Sequence, residues 1–402
     1  MIDLTNPRMR RLTRPDAVLY GEEVGAGPTL LLLHAGGERR QVWRPVIDAL
    51  GDAGNRCVAF DQRGHGDSGG ELRALAGCAD DVAAMLDAEP PGCIVVGASL
   101  GGLAAMAALG DPATRERVAG LVLVDCVPDL DPHRIRHYLA DIGMLGTYPE
   151  FVDDALAHVA SLRLAIAEFG RPVLLVRGGA GSPVTDDDVD RLLDLAPQTT
   201  VVRIPGAGHL IAREQPAVLA EAIATIATEW PALALLRQLG AGQIDHPGGK
   251  LLDHLRRVNQ LVTDWSASQR VRLATLCHAA YGTDGYPDAL LPLDQRTRLR
   301  AAIGDEAEVL VYRYGACDRS KTYPRLGAPQ LPLTDRFTGE IITLAAADLA
   351  DFAVLTIANE LDVARTASLT PATRRAIRTL ITTLATYAPA AAAQALADPS
   401  LS

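Results

Sequence analysis

Ser99 stands in the run Gly97-Ala98-Ser99-Leu100-Gly101, between the apolar stretch CIVVG (93–97) and the helix-like stretch LGGLAAMAAL. Such a serine, flanked by glycines at a strand-to-helix turn, is lifted toward solvent as a nucleophile, because a Cβ at either flank would clash in so tight a bend. The backbone N–H of Leu100 then falls at a helix N-terminus, where it can hold a developing oxyanion. A serine hydroxyl also needs a base. His209, at the end of Pro205-Gly206-Ala207-Gly208-His209, follows the run TVVRIP (200–205) and can take the serine proton and return it to a leaving group. A second oxyanion donor is expected from His34-Ala35-Gly36-Gly37, where glycines let the main chain approach a substrate. The Gly36 N–H is the candidate, and His34 reads as a structural loop residue.

These residues need a frame that brings distant loops to one edge. Short, nearly continuous apolar runs recur along the first half of the chain: TLLLLH (29–34), RCVAFD (56–61), CIVVG (93–97), LVLVD (121–125), PVLLVR (172–177) and TVVRIP (200–205). Runs of this kind suit parallel strands covered on both faces. Helix-like segments at 73–87, 100–109 and 215–228 alternate with them, so the fold class is α/β, a doubly wound, mostly parallel sheet whose ligands meet the carboxyl ends of its strands. The interval 129–170 breaks the alternation; it is helical and half polar, and it reads as a small lid. Its Leu139, Ile142, Met144, Leu145, Tyr148 and Phe151 would supply an apolar pocket wall.

The ordered motifs LLLLHAGG, DQRGHGDS (61–68), GASLGG and PGAGH with EQP behind it resemble the α/β-hydrolase superfamily over about residues 17–229. The resemblance implies an α/β-hydrolase fold, a Ser-His-acid triad and an acyl-enzyme. It also makes Asp61, Arg63 and Ser68 scaffold residues of a turn. In that family the acid usually follows the seventh strand, but here that loop reads Arg177-Gly178-Gly179-Ala180-Gly181-Ser182-Pro183-Val184-Thr185. Asp125, at the end of LVLVD, is the favoured acid; Asp186 or Asp187 reaching back is an alternative, and a site with no orienting acid is a third.

Beyond Trp230-Pro231 the pattern becomes helical throughout, and the Gly-rich stretch 236–249 marks a domain boundary. This gives an α/β-hydrolase domain over 1–235, with its lid at 129–170, and an all-α domain over 236–402. The second domain carries His254 in LLDHLRRV and His278 in CHAAYGTDGYP, with Asp348 and Asp351 later. The stretches GGKLLDHLRRV, CHAAYGTDGYP and IGDEAEVLVYRYGACDR resemble a helical family of unassigned activity, similar to HD-type metal-dependent phosphohydrolases, over about residues 243–362. Where that pattern has a His–Asp doublet, His278 is followed by Ala279. What remains is a mononuclear divalent-metal site built from His254, His278 and Asp351 or Asp348, suited to Fe, Mn or Zn. The bland reading is that these side chains only tie helices together.

With 38 basic and 49 acidic side chains the chain carries a net charge of -11, which argues against nucleic acid or an anionic membrane as a partner. No run approaches the apolar length that spans a bilayer. The N-terminal MIDLTNPRMRRLTRPD lacks the apolar stretch of a signal peptide, and the six cysteines show no CxxC pair. A cytoplasmic protein with reduced thiols is expected; low Lys with high Ala, Arg and Gly suggests a bacterial gene. Two functional classes follow. One is a serine hydrolase of a small ester, thioester, lactone or amide, with no cofactor in the hydrolase domain. The other is a degenerate hydrolase domain serving as a binding scaffold, with metal-dependent activity in the helical domain.

Overall fold

The computed structural model describes residues 7–51, 55–129, 131–179, 181–286, 288–328 and 330–401. It divides into two compact units, Met1–Ala227 and Thr228–Ser402. The extreme start of the chain, part of the stretch read above for a signal peptide, lies outside the described residues.

The first unit opens with an antiparallel pair, β1 (Arg8–Thr13) and β2 (Val18–Gly25), which have too few apolar residues to register as runs. The apolar runs form β3 (Thr29–Leu33), β4 (Arg56–Phe60), β5 (Cys93–Ala98), β6 (Val118–Val124), β7 (Val173–Gly178) and β8 (Thr199–Ile204). Together they make an eight-stranded sheet in the order β1-β2-β4-β3-β5-β6-β7-β8. From β4 to β8 every pairing is parallel. Leu30, Leu31, Leu32 and Leu33 on β3 have no exposed surface, as a strand covered on both faces requires.

Helices α1 (Arg44–Leu50), α2 (Leu75–Asp87), α3 (Leu100–Ala108) and α4 (Pro112–Arg117) lie between the early strands, with α2 packed on α3 and α3 on β5. Three helices, α5 (Pro132–Asp141), α6 (Pro149–Ala157) and α7 (Val159–Phe169), fill the interval between β6 and β7. The start of α5 is fixed by Asp131, whose carboxylate accepts the Arg134 N–H, and by Pro132 in the first turn. No residue of α5 is fully buried; its apolar face roofs a cavity instead of joining the core. Next come α8 (Asp186–Leu195), started by a Thr185/Asp188 capping box, then α9 (Ile211–Glu214) and α10 (Pro216–Gln238).

The division between the units falls inside α10, short of the Gly-rich stretch at 236–249. Contrary to the expectation that no run approaches spanning length, α10 has 23 residues and a mean hydropathy of 1.4 over its most apolar window, of which 56% is buried. Burial of that kind is also what a core helix shows.

The second unit is helical, as expected, but not wholly so. Asp245–His246 (β9) pairs with Gly249–Lys250 (β10) in a small hairpin that leads into α11 (Leu251–Asp264) and α12 (Gln269–Leu276). Then come α13 (Arg296–Ile303), α14 (Asp305–Ala316), α15 (Arg319–Thr322), a second hairpin of β11 (Pro332–Thr334) with β12 (Ile341–Thr343), and α16 (Ala346–Thr366), α17 (Pro371–Leu384) and α18 (Pro389–Leu396). Helices α11, α12, α14 and α16 pack on one another around Leu255, Val258, Val262, Leu310, Phe352 and Ile357, all nearly inaccessible.

Candidate active site

Ser99 sits between β5 and α3 with φ 46° and ψ -110°, a left-handed conformation that is strained for any residue but glycine. Its neighbours explain how the chain tolerates the bend. A Cβ at Gly97 would come within 2.6 Å of the Gly101 carbonyl, and one at Gly101 within 2.4 Å of the Leu33 carbonyl. Both positions are closed to any side chain. The Leu103 N–H donates to the Ser99 carbonyl at 3.0 Å, anchoring the helix directly behind the serine. Leu100 is the first residue of α3, so its N–H has no acceptor within the helix.

A second strained residue follows the next strand. Asp125, just past β6, has φ 51° and a buried carboxylate. Its Oδ2 accepts from His209 Nδ1 at 2.8 Å, while Oδ1 accepts from the Gly178 N–H at 2.8 Å. The Ser182 hydroxyl lies 2.8 Å from Oδ1 and 2.9 Å from Oδ2. Ser182 occupies the loop after β7, where the sequence has no carboxylate at the position usual for the family. Of the alternative acids, Asp186 is exposed and pairs with Arg177 and Arg203, and Asp187 is exposed. The structure brings Asp125, not these, to His209.

His209 arrives on the loop after β8. That loop is held by the Gly179 N–H donating to the Ala207 carbonyl at 2.7 Å and by the Gly208 N–H donating to the Glu214 carboxylate. The ring is nearly buried and meets the edge of Tyr138, with ring centroids 5.0 Å apart. Burial pushes the Tyr138 hydroxyl up to about 12, so it remains a neutral phenol near neutral pH. Since Nδ1 is committed to Asp125, Nε2 is the nitrogen left to face the cavity.

The His34–Glu38 loop is locked by two histidines. His34 is buried; its Nδ1–H donates to the Ala35 carbonyl at 2.8 Å and its Nε2 accepts the Gln62 N–H at 3.0 Å. Burial lowers its pKa to about 4, keeping it neutral. His65 does the same from the DQRGHGDS turn: Nδ1 donates to the Arg63 carbonyl at 2.9 Å, and Nε2 accepts the Gly37 N–H at 3.0 Å. The Gly37 N–H is bound to His65 and the Glu38 N–H to the Ala35 carbonyl at 3.1 Å, whereas the Gly36 N–H has no such acceptor among the described residues. Sequence reading missed His65; its signal was a second histidine beside glycines. Asp61, Arg63 and Ser68 hold the same turn, through Arg40, Asp81 and the backbone respectively.

Ser99, Leu100, Gly36, Asp125 and His209 all line one cavity of about 350 Å³. Leu139, Ile142, Met144, Tyr148 and Phe151 of the lid interval line it too, though Leu145 does not. Two arginines on its wall are paired: Arg134 with Asp188 at 2.7 Å, and Arg213 with Glu38 at 3.2 Å. Burial raises the Glu38 carboxyl above its ordinary range, against the pull of Arg213.

The metal set expected in the second unit is not assembled as read. Asp351 lies 3.4 Å from Arg270, and Asp348 pairs with Arg270 and Arg313. The carboxylate that reaches His254 is Asp362, at 2.7 Å. Among the described residues no group of three His, Cys, Asp or Glu side chains is placed to hold a metal ion, which corrects the set His254, His278 and Asp351.

A mostly parallel sheet with a strained serine after β5 and a histidine beyond its last strand defines an α/β-hydrolase, and the chain belongs to the alpha/beta hydrolase family, whose model matches residues 30–222. It is an α/β-fold hydrolase. The second unit matches a domain of unknown function (DUF6817) over residues 235–319. The Variovorax paradoxus protein named as the carbamate hydrolase RutD is 40% identical over 124 residues, 30% of this chain but only 46% of that protein. A 2-(acetamidomethylene)succinate hydrolase of Mesorhizobium japonicum is 25% identical over 53% of this chain and 93% of its own length. An esterase of Mycobacterium tuberculosis is 30% identical over 50% of this chain and 82% of its own. Among solved structures, a haloalkane dehalogenase loop variant from Bradyrhizobium elkanii aligns at a TM-score of 0.48 with 15% identity, covering 57% of this chain and 99% of that one.

Proposed function

We propose that the first unit is a serine hydrolase that cleaves an acyl C–O, C–S or C–N bond in a small substrate with an uncharged, apolar acyl group. Ser99 Oγ attacks the carbonyl carbon while His209 Nε2 takes its proton. Asp125 fixes the ring through Nδ1 and stabilises the imidazolium. The N–H groups of Leu100 and Gly36 receive the oxyanion. The protonated ring then gives its proton to the departing alcohol, thiol or amine, leaving an acyl-serine. Water, deprotonated by the same ring, releases the acid and restores the serine. The observation that carries this reading is the 2.8 Å His209–Asp125 hydrogen bond on the wall of the cavity that Ser99 also lines.

The preference for an uncharged acyl group rests on the same wall. Its lid-side residues are mainly apolar, the charged ones being Asp129, Asp131 and Arg134, and Arg134 and Arg213 are each already paired with a carboxylate. A free carboxylate on the substrate would meet Glu38, Asp129, Asp131 and Asp188 on the same wall and would have to compete with Asp188 or Glu38 for an arginine, at a cost of several kcal/mol where it stays unpaired. The test is a kinetic series on p-nitrophenyl esters. Butyrate should be hydrolysed with kcat/KM at least about tenfold above that of the succinate monoester, a difference of roughly 1.4 kcal/mol, and Ser99→Ala should abolish both. Preference for the succinate monoester would overturn the substrate assignment, and hydrolysis by Ser99→Ala would overturn the mechanism.

A further inference from the structure

The proton that His209 delivers sorts the two halves of a substrate. A leaving atom takes that proton from Nε2, so it lies within hydrogen-bond reach of the ring. The acyl half then occupies the apolar cavity under the lid, and the leaving half continues past His209. A second space borders the same ring. It is a solvent-facing hollow lined by residues 205–210, Gly181, Glu214 and the lid residues Tyr138 and Ile142. Tyr138, Ile142, His209 and Leu210 line both spaces. Tyr138 stands at the divide, its ring against His209 with centroids 5.0 Å apart, on a helix with no fully buried residue.

The hollow differs in charge from the inner cavity. No Lys or Arg is among its described lining residues, and Glu214 is its one carboxylate. Arg134 and Arg213 line the inner cavity and not the hollow. Glu214 is exposed; one of its oxygens accepts the Gly208 N–H, and the other meets no donor among the described residues. Burial raises the Tyr138 hydroxyl, and the charges of Asp125 and Glu214 add to the rise, so Glu214 acts on the hydroxyl that borders the hollow. An aromatic ring and an open carboxylate oxygen on one hollow suit a positive charge, which is attracted by the ring quadrupole as well as by the acid. An anionic group would meet only repulsion there.

We infer that this hollow is the leaving-group subsite of the hydrolase, and that it takes an alcohol, thiol or amine carrying a quaternary or protonated ammonium group, with Glu214 and the Tyr138 ring as its specificity-determining groups. The subsite presupposes the serine-hydrolase reading and defines the half of the substrate that the acyl cavity leaves open.

The test compares three butyrate esters that differ in the alcohol: choline, its uncharged isostere 3,3-dimethylbutanol, and the anionic 3-hydroxypropanoate, with acid release followed by pH-stat. The kcat/KM values should fall in that order, the choline ester leading its isostere about fivefold at low salt, and the lead should shrink as salt rises. Glu214→Gln, whose amide oxygen can still accept the Gly208 N–H, should cut the choline-to-isostere ratio roughly threefold. Tyr138→Leu should cut it by a similar factor, and Tyr138→Phe should preserve it. Comparing ratios between proteins cancels the esters' intrinsic reactivities and any general loss of activity. Ratios unchanged by both Glu214→Gln and Tyr138→Leu would overturn the subsite, as would faster turnover of the anionic ester than of the isostere. Folded Ser99→Ala, which cannot turn over, should bind the choline ester more tightly than the isostere in calorimetry. That preference without hydrolysis by the wild type would sink the hydrolase reading and leave the cation site standing; hydrolysis of all three esters at equal rates would do the reverse.

Discussion

At the scale of single residues, the site depends on how Asp125 is held. Its two oxygens are divided between His209 on one side and Gly178 and Ser182 on the other. Replacing Asp125 with Asn keeps the shape but lets the imidazole adopt the wrong tautomer, and kcat for an active ester should fall by about 10⁴-fold with little change in KM. Ser182→Ala removes only a supporting hydroxyl; a loss of roughly tenfold in kcat is expected, the smaller effect of a group acting through another. Steady-state kinetics of the two variants, with thermal melts as controls for folding, check both. The places of Ser99 between strand and helix and of His209 after the last strand were legible in the sequence because both are local patterns. Asp125 was legible only as a candidate. Choosing it over Asp186 required the path of the loop after β7, which sends Asp186 outward to Arg177 and Arg203 and leaves Ser182 beside the acid.

At the scale of elements, the elbow between β5 and α3 works because glycine lets two backbones close on each other. Gly101→Ala places a Cβ 2.4 Å from the Leu33 carbonyl, where main chain, not a flexible side chain, would have to move. Destabilisation of about 1–3 kcal/mol or more is expected, read as a lowered urea midpoint, together with loss of activity as the serine shifts. Buried strands were found from their apolar runs, whereas β1 was not. Its RMRRLT sequence is half exposed and charged, as suits the edge of a sheet, so neither apolar content nor clean alternation announced it. The second unit shows the same limit on a helix. Asp351 and Asp362 both lie on α16, eleven positions or about three turns apart, and so share a face. Helical period alone could not say which of two carboxylates about 16 Å apart along the axis stands beside His254.

At the scale of the whole molecule, stability should carry the signature of a histidine buried neutral. The His34 pKa is lowered to about 4 by burial, with His65 opposing its charge and Asp61 favouring it. The unfolded chain, with a pKa near 6.5, therefore takes up this proton before the folded one. His34 costs nothing above about pH 6.5; stability is lost as pH falls from there toward about 4, to a total on the order of 3 kcal/mol. Urea unfolding at pH 7.5 and 4.5 should show a steeper loss for the wild type than for His34→Gln, and equal slopes would remove His34 from the account.

The claim on which the hydrolase reading stands is that Ser99 is an activated nucleophile open to the cavity, and covalent trapping reads it directly. Incubation of the folded protein with a fluorophosphonate, followed by peptide mass mapping, should place one phosphonyl group on Ser99. Labelling should slow strongly in His209→Ala and vanish in Ser99→Ala. A folded wild-type protein that takes no label, or takes it at another residue with equal speed, would contradict the account.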